Sequence, residues 1–488
     1  MINDIALLLP VFLFIAFIEW YISNKQGKKL YSHRNTAINL AIGAIDQLFS
    51  IIGYLMFYFV LSYVYENYRW YEFENTWLQW ILAYLAIDFI SYWYHRFSHE
   101  INFLWAGHFT HHSSDHFNFS NGFRTSPFQG LNRIPFWIVL PLIGFSPFVL
   151  ILTFKISSIY DFFQHTQNFP RMKYLEKIFI TPTLHSVHHG KNNIYIDKNY
   201  GSTFVIWDKL FGTFQERTEP VEFGITNEDY VDDSPIRAIF FHYNHLWKLI
   251  KATSGWQNKI KILWMPPNWG LGDISLQNSR NAIQKIDISE AHKQYAILQL
   301  IFCAAGVTLV LIFQDFLIPV ELILLSISSI YGMVNGAMIL NQSIKPNFKN
   351  QEILRLSISL FLLITYYMIS LKFYLLYISA YFIFSLFLVS RLPKVEVERK
   401  WANLPPSLEN NSIKTNRNFI KTTPCGGAIM YLPSKNKNNI LRERLYSFTQ
   451  STQSSFTPLI GVPIYNKNIV TSEIFSKLRV NKSNENIV

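Results

Sequence analysis

At 488 residues the chain is long enough for two or three soluble domains, yet 50% of it is hydrophobic, 17% aromatic and only 15% charged, against roughly 25% charged in soluble domains. Its apolar residues are gathered into long runs, the composition of a polytopic membrane protein. The net charge of +11 comes without a dense basic helix or nucleic-acid motif. No nucleic-acid partner is therefore expected, and cationic loops facing an anionic leaflet account for the charge.

The first candidate span covers residues 5–22. It has no basic segment before it and no small-residue cleavage site after it, so it reads as an anchor helix and not a cleaved signal. The following loop carries Lys25, Lys28, Lys29 and Arg34, which assigns it to the cytoplasm. Residues 37–65 then run outward, interrupted by Asp46 and Gln47, into an acidic and aromatic external loop, and residues 77–94 return. Residues 135–163 are apolar but broken by Pro141, Gly144 and Pro147, the pattern of a hairpin that enters and leaves on one side. Residues 166–290 are mixed and predict a cytoplasmic cap. Four further runs follow near 296–313, 316–340, 353–371 and 373–391, and beyond residue 396 the Asn-, Ser- and Lys-rich sequence has the composition of a disordered tail. The expected class is all-α: membrane helices with a cytoplasmic helical cap carrying a histidine-rich di-metal site. The expected organisation is a membrane-and-cap domain over 1–290, a second membrane block over 291–395 and the tail over 396–488.

Eight of the fourteen histidines fall into three groups: His95 and His99; His108, His111 and His112; His185, His188 and His189. Helical residues at i, i+3 and i+4 lie close to one another on the surface, so each group can converge on one locus. One such HxxHH triplet would arise by chance in about 1% of chains of this histidine content, and two far more rarely. Eight imidazoles exceed the capacity of one ion, and a structural zinc closes with four ligands, often including Cys. Cys303 and Cys425 form no metal spacing. Imidazole suits iron, zinc, copper and nickel alike. Two ions sharing the set fit the count, and attack on an unactivated C–H bond calls for a redox metal, hence two Fe ions. His116 is expected in solvent, and His33, His242, His245 and His292 at surfaces or interfaces. Asp88, Glu100, Asp161 and Asp197 are candidate carboxylates for orienting imidazole N–H groups, with Asp88 singled out because an acid inside an apolar span demands a partner. No residue is assigned a catalytic role beyond the ligands.

The three boxes, with Trp105-Ala-Gly-His-Phe-Thr-His-His-Ser-Ser114, Thr181-Pro-Thr-Leu-His-Ser-Val-His-His-Gly190, Asp197-Lys-Asn-Tyr-Gly201 and Ile206-Trp-Asp-Lys-Leu-Phe-Gly-Thr-Phe214, resemble the fatty acid hydroxylase and sterol desaturase superfamily. The flanks, together with Thr253-Ser-Gly255 and Pro266-Pro-Asn-Trp-Gly270, are most similar to its alkylglycerol monooxygenase branch. His165, at the end of the hairpin, is placed like the additional histidine the superfamily often has between boxes two and three, which implies a ninth ligand or a group that orients one, and Leu184 stands where the family often has a further box-three histidine. The resemblance implies O₂-dependent hydroxylation of a lipid substrate and an external electron donor, a pterin or a redox protein. The branch implies tetrahydrobiopterin and cleavage of an ether bond, with the glycerol head in the cap and the alkyl chain in the membrane. Sterol, carotenoid or acyl-chain hydroxylation or desaturation are the alternatives within the superfamily. A non-catalytic metal-binding membrane protein is the alternative outside it, disfavoured because transporters place their polar residues at mid-membrane.

Overall fold

The computed structural model describes residues 8–74, 76–226, 230, 233–269, 287–343, 347–370 and 374–393. The hydrophilic tail, including Cys425, and the 270–286 stretch of the expected cap lie outside the described residues. Among those described, the chain is helical, with isolated bridges Phe179 to Phe204 and Gly190 to Phe223 in place of strands. The helices are α1 (Leu8–Lys25), α2 (His33–Tyr68), α3 (Trp77–Glu100), α4 (Asn102–His112), α5 (Gln129–Trp137), α6 (Val139–Ile143), α7 (Pro147–Phe163), α8 (Pro182–His188), α9 (Ile206–Leu210), α10 (Pro235–Ala252), α11 (Trp256–Trp264), α12 (Glu290–Phe313), α13 (Pro319–Leu340), α14 (Phe348–Ser370) and α15 (Tyr374–Arg391). Four segments are long and apolar enough to cross a bilayer: Leu8–Lys25, His33–Tyr68, Glu290–Phe316 and Pro319–Leu340. We read the chain as an integral membrane protein.

The expected hairpin is built by α5, α6 and α7. It turns at Gly144, whose φ of +125° favours glycine and whose missing side chain leaves room for the Tyr71 carbonyl. The Trp70 amide donates to the Leu142 carbonyl at 2.8 Å, and Phe73 stacks on Phe145 at 4.6 Å. The hairpin tip is thereby fixed to the loop after α2, while its two ends return to the histidines. At the other end of α1, buried Glu19 accepts hydrogen bonds from the Phe119 amide at 2.8 Å and from Tyr31 Oη at 2.5 Å, and also from Thr166 Oγ1. One carboxylate thus ties the first helix to the segments flanking boxes two and three.

Helices α10 and α11 cover the box-two helix α4. Leu246, Leu249 and Ile262 pack on Ala106, Asn102 Nδ2 donates to the Ile262 carbonyl at 3.0 Å, and Thr110 Oγ1 to the Ala238 carbonyl at 3.1 Å. Trp247, Trp256 and Trp264 stay exposed on this pair, alongside Lys251, Lys259 and Lys261, the composition of helices lying at a membrane interface. The placement corrects two expectations. His242 is buried because its Nε2 meets Asn102 Oδ1 at 2.6 Å beneath α10. His292 is buried in the first turn of α12, its Nδ1 2.8 Å from Ser289 Oγ. His33 is exposed, and His116 is half-buried against Asp115 at 2.7 Å.

The later helices share a core with α2: Ala37, Ala41, Ile45 and Leu48 pack with Cys303, Val307, Met333 and Ala337. Gly332 and Gly336 let α13 close on α12; a Cβ on Gly336 would lie 2.9 Å from Leu300, the small-xxx-small contact of membrane helices. Glu352 of α14 joins α12, α13 and α14 by accepting from Tyr295 Oη at 2.7 Å, Asn335 Nδ2 at 2.6 Å and the Arg355 guanidinium at 2.9 and 2.5 Å. Glu352→Ala would leave Arg355, whose side chain is only 10% exposed, without its carboxylate. This is expected to cost about 3–5 kcal/mol and to lower the midpoint of thermal unfolding of the detergent-solubilised protein. An unchanged midpoint would show that the network does not hold the later helices together.

Candidate metal centre

Box one lies on the last turns of α3, box two ends α4, and box three lies on α8 and its C-terminal cap, His189. The short α8 starts where the sequence dictates: Thr181 caps it, accepting from the Leu184 amide at 3.4 Å, and Pro182 occupies the first turn, where no N–H is needed. Leu184, in place of the family's extra histidine, is buried against Ile180 and Val205.

The structure brings all nine singled-out histidines into two adjoining groups. His95, His99, His108, His112 and His188 form one, and His111, His165, His185 and His189 the other, with potential ligand atoms within 4.8 Å of one another in each group. The i, i+4 pairs explain the division. His95 with His99 and His108 with His112 each share a helical face and serve the first group, as His185 with His189 serve the second. His111 and His188, one position off those faces, cross to the other group. The ring centroids of His112 and His189 are 4.4 Å apart, so the two groups share a wall.

The outer nitrogens are held by the main chain. His95 Nδ1–H donates to the Tyr200 carbonyl at 2.8 Å, His188 Nδ1–H to Lys198 at 2.9 Å, His165 Nδ1–H to Asp161 at 2.8 Å and His111 Nδ1–H to Arg124 at 3.2 Å. A carbonyl can only accept, so these four neutral rings must present bare Nε2 lone pairs. His111 Nε2 nevertheless faces His165 Nε2 at 3.3 Å. Two lone pairs at that distance repel unless a cation lies between them. The other facing nitrogens stand closer, at 3.0 Å for His95 with His108 and His112 with His188, 3.1 Å for His165 with His185 and 3.2 Å for His185 with His189. That is about the separation of two imidazoles bound at right angles at about 2.1 Å from one ion. His99 Nε2 is buried with no hydrogen-bond partner. These contacts fit bound metal and not an apolar core.

Electrostatics agree. Burial, reinforced by neighbouring rings, holds His108, His111, His112, His185, His188 and His189 well below the usual histidine range, and burial pushes His165 down to about 4. Neutral imidazoles are the form that binds metal.

The candidate carboxylates act at different ranges. Asp197 Oδ1 lies 3.6 Å from His99 Nδ1. Asp161 contributes its main-chain carbonyl to His165, while its side chain accepts from Ser202 Oγ at 2.7 Å. Asp88 accepts from the Thr203 and Phe204 amides at 2.7 and 3.2 Å and from Trp207 Nε1 at 2.8 Å, so it fixes the loop beside Tyr200 and touches no imidazole. Glu100 pairs with Arg96 at 2.8 Å.

Several residues escaped the sequence reading. Asp208, fully buried, accepts from the Tyr200 and Gly201 amides at 2.7 and 2.8 Å and from Thr213 Oγ1 at 2.7 Å. Asp197 and Asn199 take φ of 59° and 54°, which Asp and Asn tolerate best among side-chain-bearing residues. The loop can therefore aim the carbonyls of residues 198 and 200 at two histidines of one group. Buried Arg124 donates to the Thr110 carbonyl and Asn39 Oδ1, both at 2.8 Å. The Gln129 amide meets His108 Nδ1 at 3.0 Å. The Asp197-to-Gly201 motif was visible in the sequence; its use of main-chain carbonyls was not.

The fatty acid hydroxylase family model matches residues 80–213, a segment that holds all nine histidines. Over 269 residues the chain is 34% identical to an alkylglycerol monooxygenase of Homo sapiens, covering 54% of this chain and 59% of that protein. Over 304 residues it is 32% identical to an alkylglycerol monooxygenase of Danio rerio, covering 60% and 67%. An ornithine lipid hydroxylase of Rhizobium tropici is 31% identical over 167 residues, 34% of this chain and 50% of that protein. The chain spans between half and two thirds of the length of these relatives. No solved structure matches it.

Asp208→Ala is expected to free the loop that aims the Tyr200 carbonyl at His95. Metal affinity of the five-histidine group should fall about 10- to 100-fold, read by metal titration of the purified protein, with membrane insertion unchanged. Wild-type affinity in this variant would show that the loop holds its carbonyls without the carboxylate.

Proposed function

The chain belongs to the fatty acid hydroxylase family, and from that premise we propose that it is a membrane-bound, di-iron, O₂-dependent lipid hydroxylase. The observation that carries the reading is the pair of adjoining imidazole groups opening onto a cavity of about 280 Å³, to which His95, His108, His111, His165 and His185 contribute walls. His95, His99, His108, His112 and His188 would hold one iron, and His111, His165, His185 and His189 the other. Bound iron would supply O₂ activation and attack on an unactivated C–H bond, chemistry no side chain offers. The chain's own residues do the rest. The four carbonyl-fixed imidazoles keep their lone pairs aimed inward, Gln129 and Arg124 hold box two in place, and Phe123, Phe154 and Phe162 give the cavity apolar walls that exclude bulk water around an alkyl chain.

The substrate we propose is an alkylglycerol or lyso-ether lipid, as the alkylglycerol monooxygenase relatives suggest. Hydroxylation beside the ether oxygen would yield a hemiacetal that collapses to a fatty aldehyde and a glycerol derivative. The donor would be tetrahydrobiopterin, as the family resemblance implies, or a redox protein. The ornithine lipid hydroxylase relative supports a second reading, hydroxylation of another lipid class on the same site. Iron-loaded protein should carry about two irons per chain and release long-chain aldehyde from an alkylglycerol with pterin and O₂. His111→Ala and His188→Ala should abolish release without affecting insertion, since insertion depends on the apolar spans. One zinc per chain with full activity in both variants would sink the di-iron assignment. Hydroxylation of a sterol or acyl lipid without aldehyde would leave only the family.

We place the site on the cytoplasmic face. Lys28 of the basic first loop donates to Asn168 at 3.1 Å, and Asn35 meets Asp115 at 3.4 Å, so that loop and box two share one side of the molecule. Cysteines introduced at Lys28 and Asp115 should be labelled from the cytoplasm and one at Glu72 from the opposite side. Labelling of Lys28 and Asp115 from different sides would refute the placement.

A further inference from the structure

The cavity does not end at the histidines. It is lined as well by Asp46, Gln47 and Tyr54 of α2, Arg133 of α5 and Lys155 of α7. Ionisable side chains facing a cavity inside a membrane protein mark a ligand or ion path. The rest of the lining is apolar: Leu8, Leu9 and Phe12 of α1 with Phe123 and Phe162, Phe12 and Phe162 stacked at 4.3 Å.

From this lining we infer that Asp46 and Gln47 with Arg133 and Gln129 form a subsite for the uncharged polyol head of the substrate, whose alkyl chain lies along the apolar residues of the same cavity. The spacing supports it. Gln129 meets His108 at 3.0 Å, and Arg133, one turn further along α5, about 6 Å by helical rise, donates to Gln129 Oε1 at 3.4 Å. That is the reach of a glycerol unit whose ether-linked carbon sits at the histidines. Arg133 is held there by Tyr94 and Phe154, whose ring centroids lie 5.4 and 5.1 Å from its Cζ. Asp46 is two turns along α2 from Asn39, itself bonded to Arg124 beside the site, and accepts from Gln47 Nε2 at 3.3 Å. A carboxylate beside amide and guanidinium donors matches hydroxyls, which both give and accept hydrogen bonds. A phosphate would meet Asp46 as well as the cations Arg133 and Lys155, so the phosphate ester is the competing head. The inference rests on the proposed lipid hydroxylase and replaces the placement expected from the sequence, in which the head stayed in the cap.

The test uses the full-length, iron-loaded protein in detergent micelles. Binding of hexadecylglycerol, of hexadecyloxypropanol (the same ether lacking one hydroxyl) and of hexadecylglycerol phosphate is measured without O₂, and aldehyde release is measured with it. Wild type should prefer the diol over the deoxy ether by about 10- to 100-fold, because a buried site built for a hydroxyl is left unpaired without it. Asp46→Asn and Arg133→Gln should collapse that preference to about 3-fold or less by weakening the diol alone, and Gln47→Leu is the third variant should either fail to accumulate. Iron content should stay at the wild-type value throughout. Retention of the preference in folded variants overturns the subsite, as does tighter binding of the phosphate ester than of the diol. The functional reading fails separately: the diol would bind with the stated preference and yet release no aldehyde.

Discussion

Everything at the centre depends on one kind of bond, an imidazole Nδ1–H donating to a main-chain carbonyl. Four histidines are held this way, by residues 124, 161, 198 and 200. A histidine has two nitrogens and one proton in its neutral form, so fixing the proton on the outer nitrogen frees the inner lone pair. A carboxylate could do the same, at the cost of a negative charge in a poorly solvated place. Carbonyls orient the rings without adding charge. Asp88 and Asp208 are kept one bond further away, where backbone amides satisfy them, while the Asp197 carboxylate lies 3.6 Å from His99 Nδ1.

The helical boxes were legible in the sequence because i, i+4 pairing follows from helix geometry alone, and the two groups divide as that geometry requires. The hairpin was legible from Gly144 and Pro147, which mark its turn. What was not legible is whatever depends on main-chain atoms or on distant packing. A carbonyl carries no residue signature, so the clamp by residues 198 and 200 left only a trace in the left-handed Asp197 and Asn199. His242 and His292 looked like surface residues because Asn102 and Ser289, which satisfy them, have no distinctive relation to them in the sequence. Asp208 sits in a short helix with no periodic signal.

The later membrane helices acquire a role through α2. That helix is 36 residues long, about 54 Å at 1.5 Å per residue, well beyond the hydrocarbon thickness. One part of it packs with α12 and α13, while Asn35 and Asn39 meet Ser114 and Arg124 beside box two. Asp46 and Gln47 line the cavity between. A single rigid element therefore connects the second block, the cavity wall and the histidine site, and the packing of α12 and α13 bears on the site without either helix approaching it.

The division of the boxes also ties the positions of the two histidine groups to each other. Helix α4 gives His108 and His112 to one group and His111 to the other, and α8 gives His188 to the first and His185 with His189 to the second. Neither helix can shift to suit one position without disturbing the other. Box one, by contrast, serves a single group, so α3 is the one box helix whose movement would act on one position alone. The loop that clamps His95 and His188 also lies wholly on that group's side. The second group has its own clamps, from Asp161 and Arg124, at the end of the hairpin and beside box two. Two independent sets of clamps acting on two shared helices give positions that are coupled in geometry yet supported by different parts of the chain.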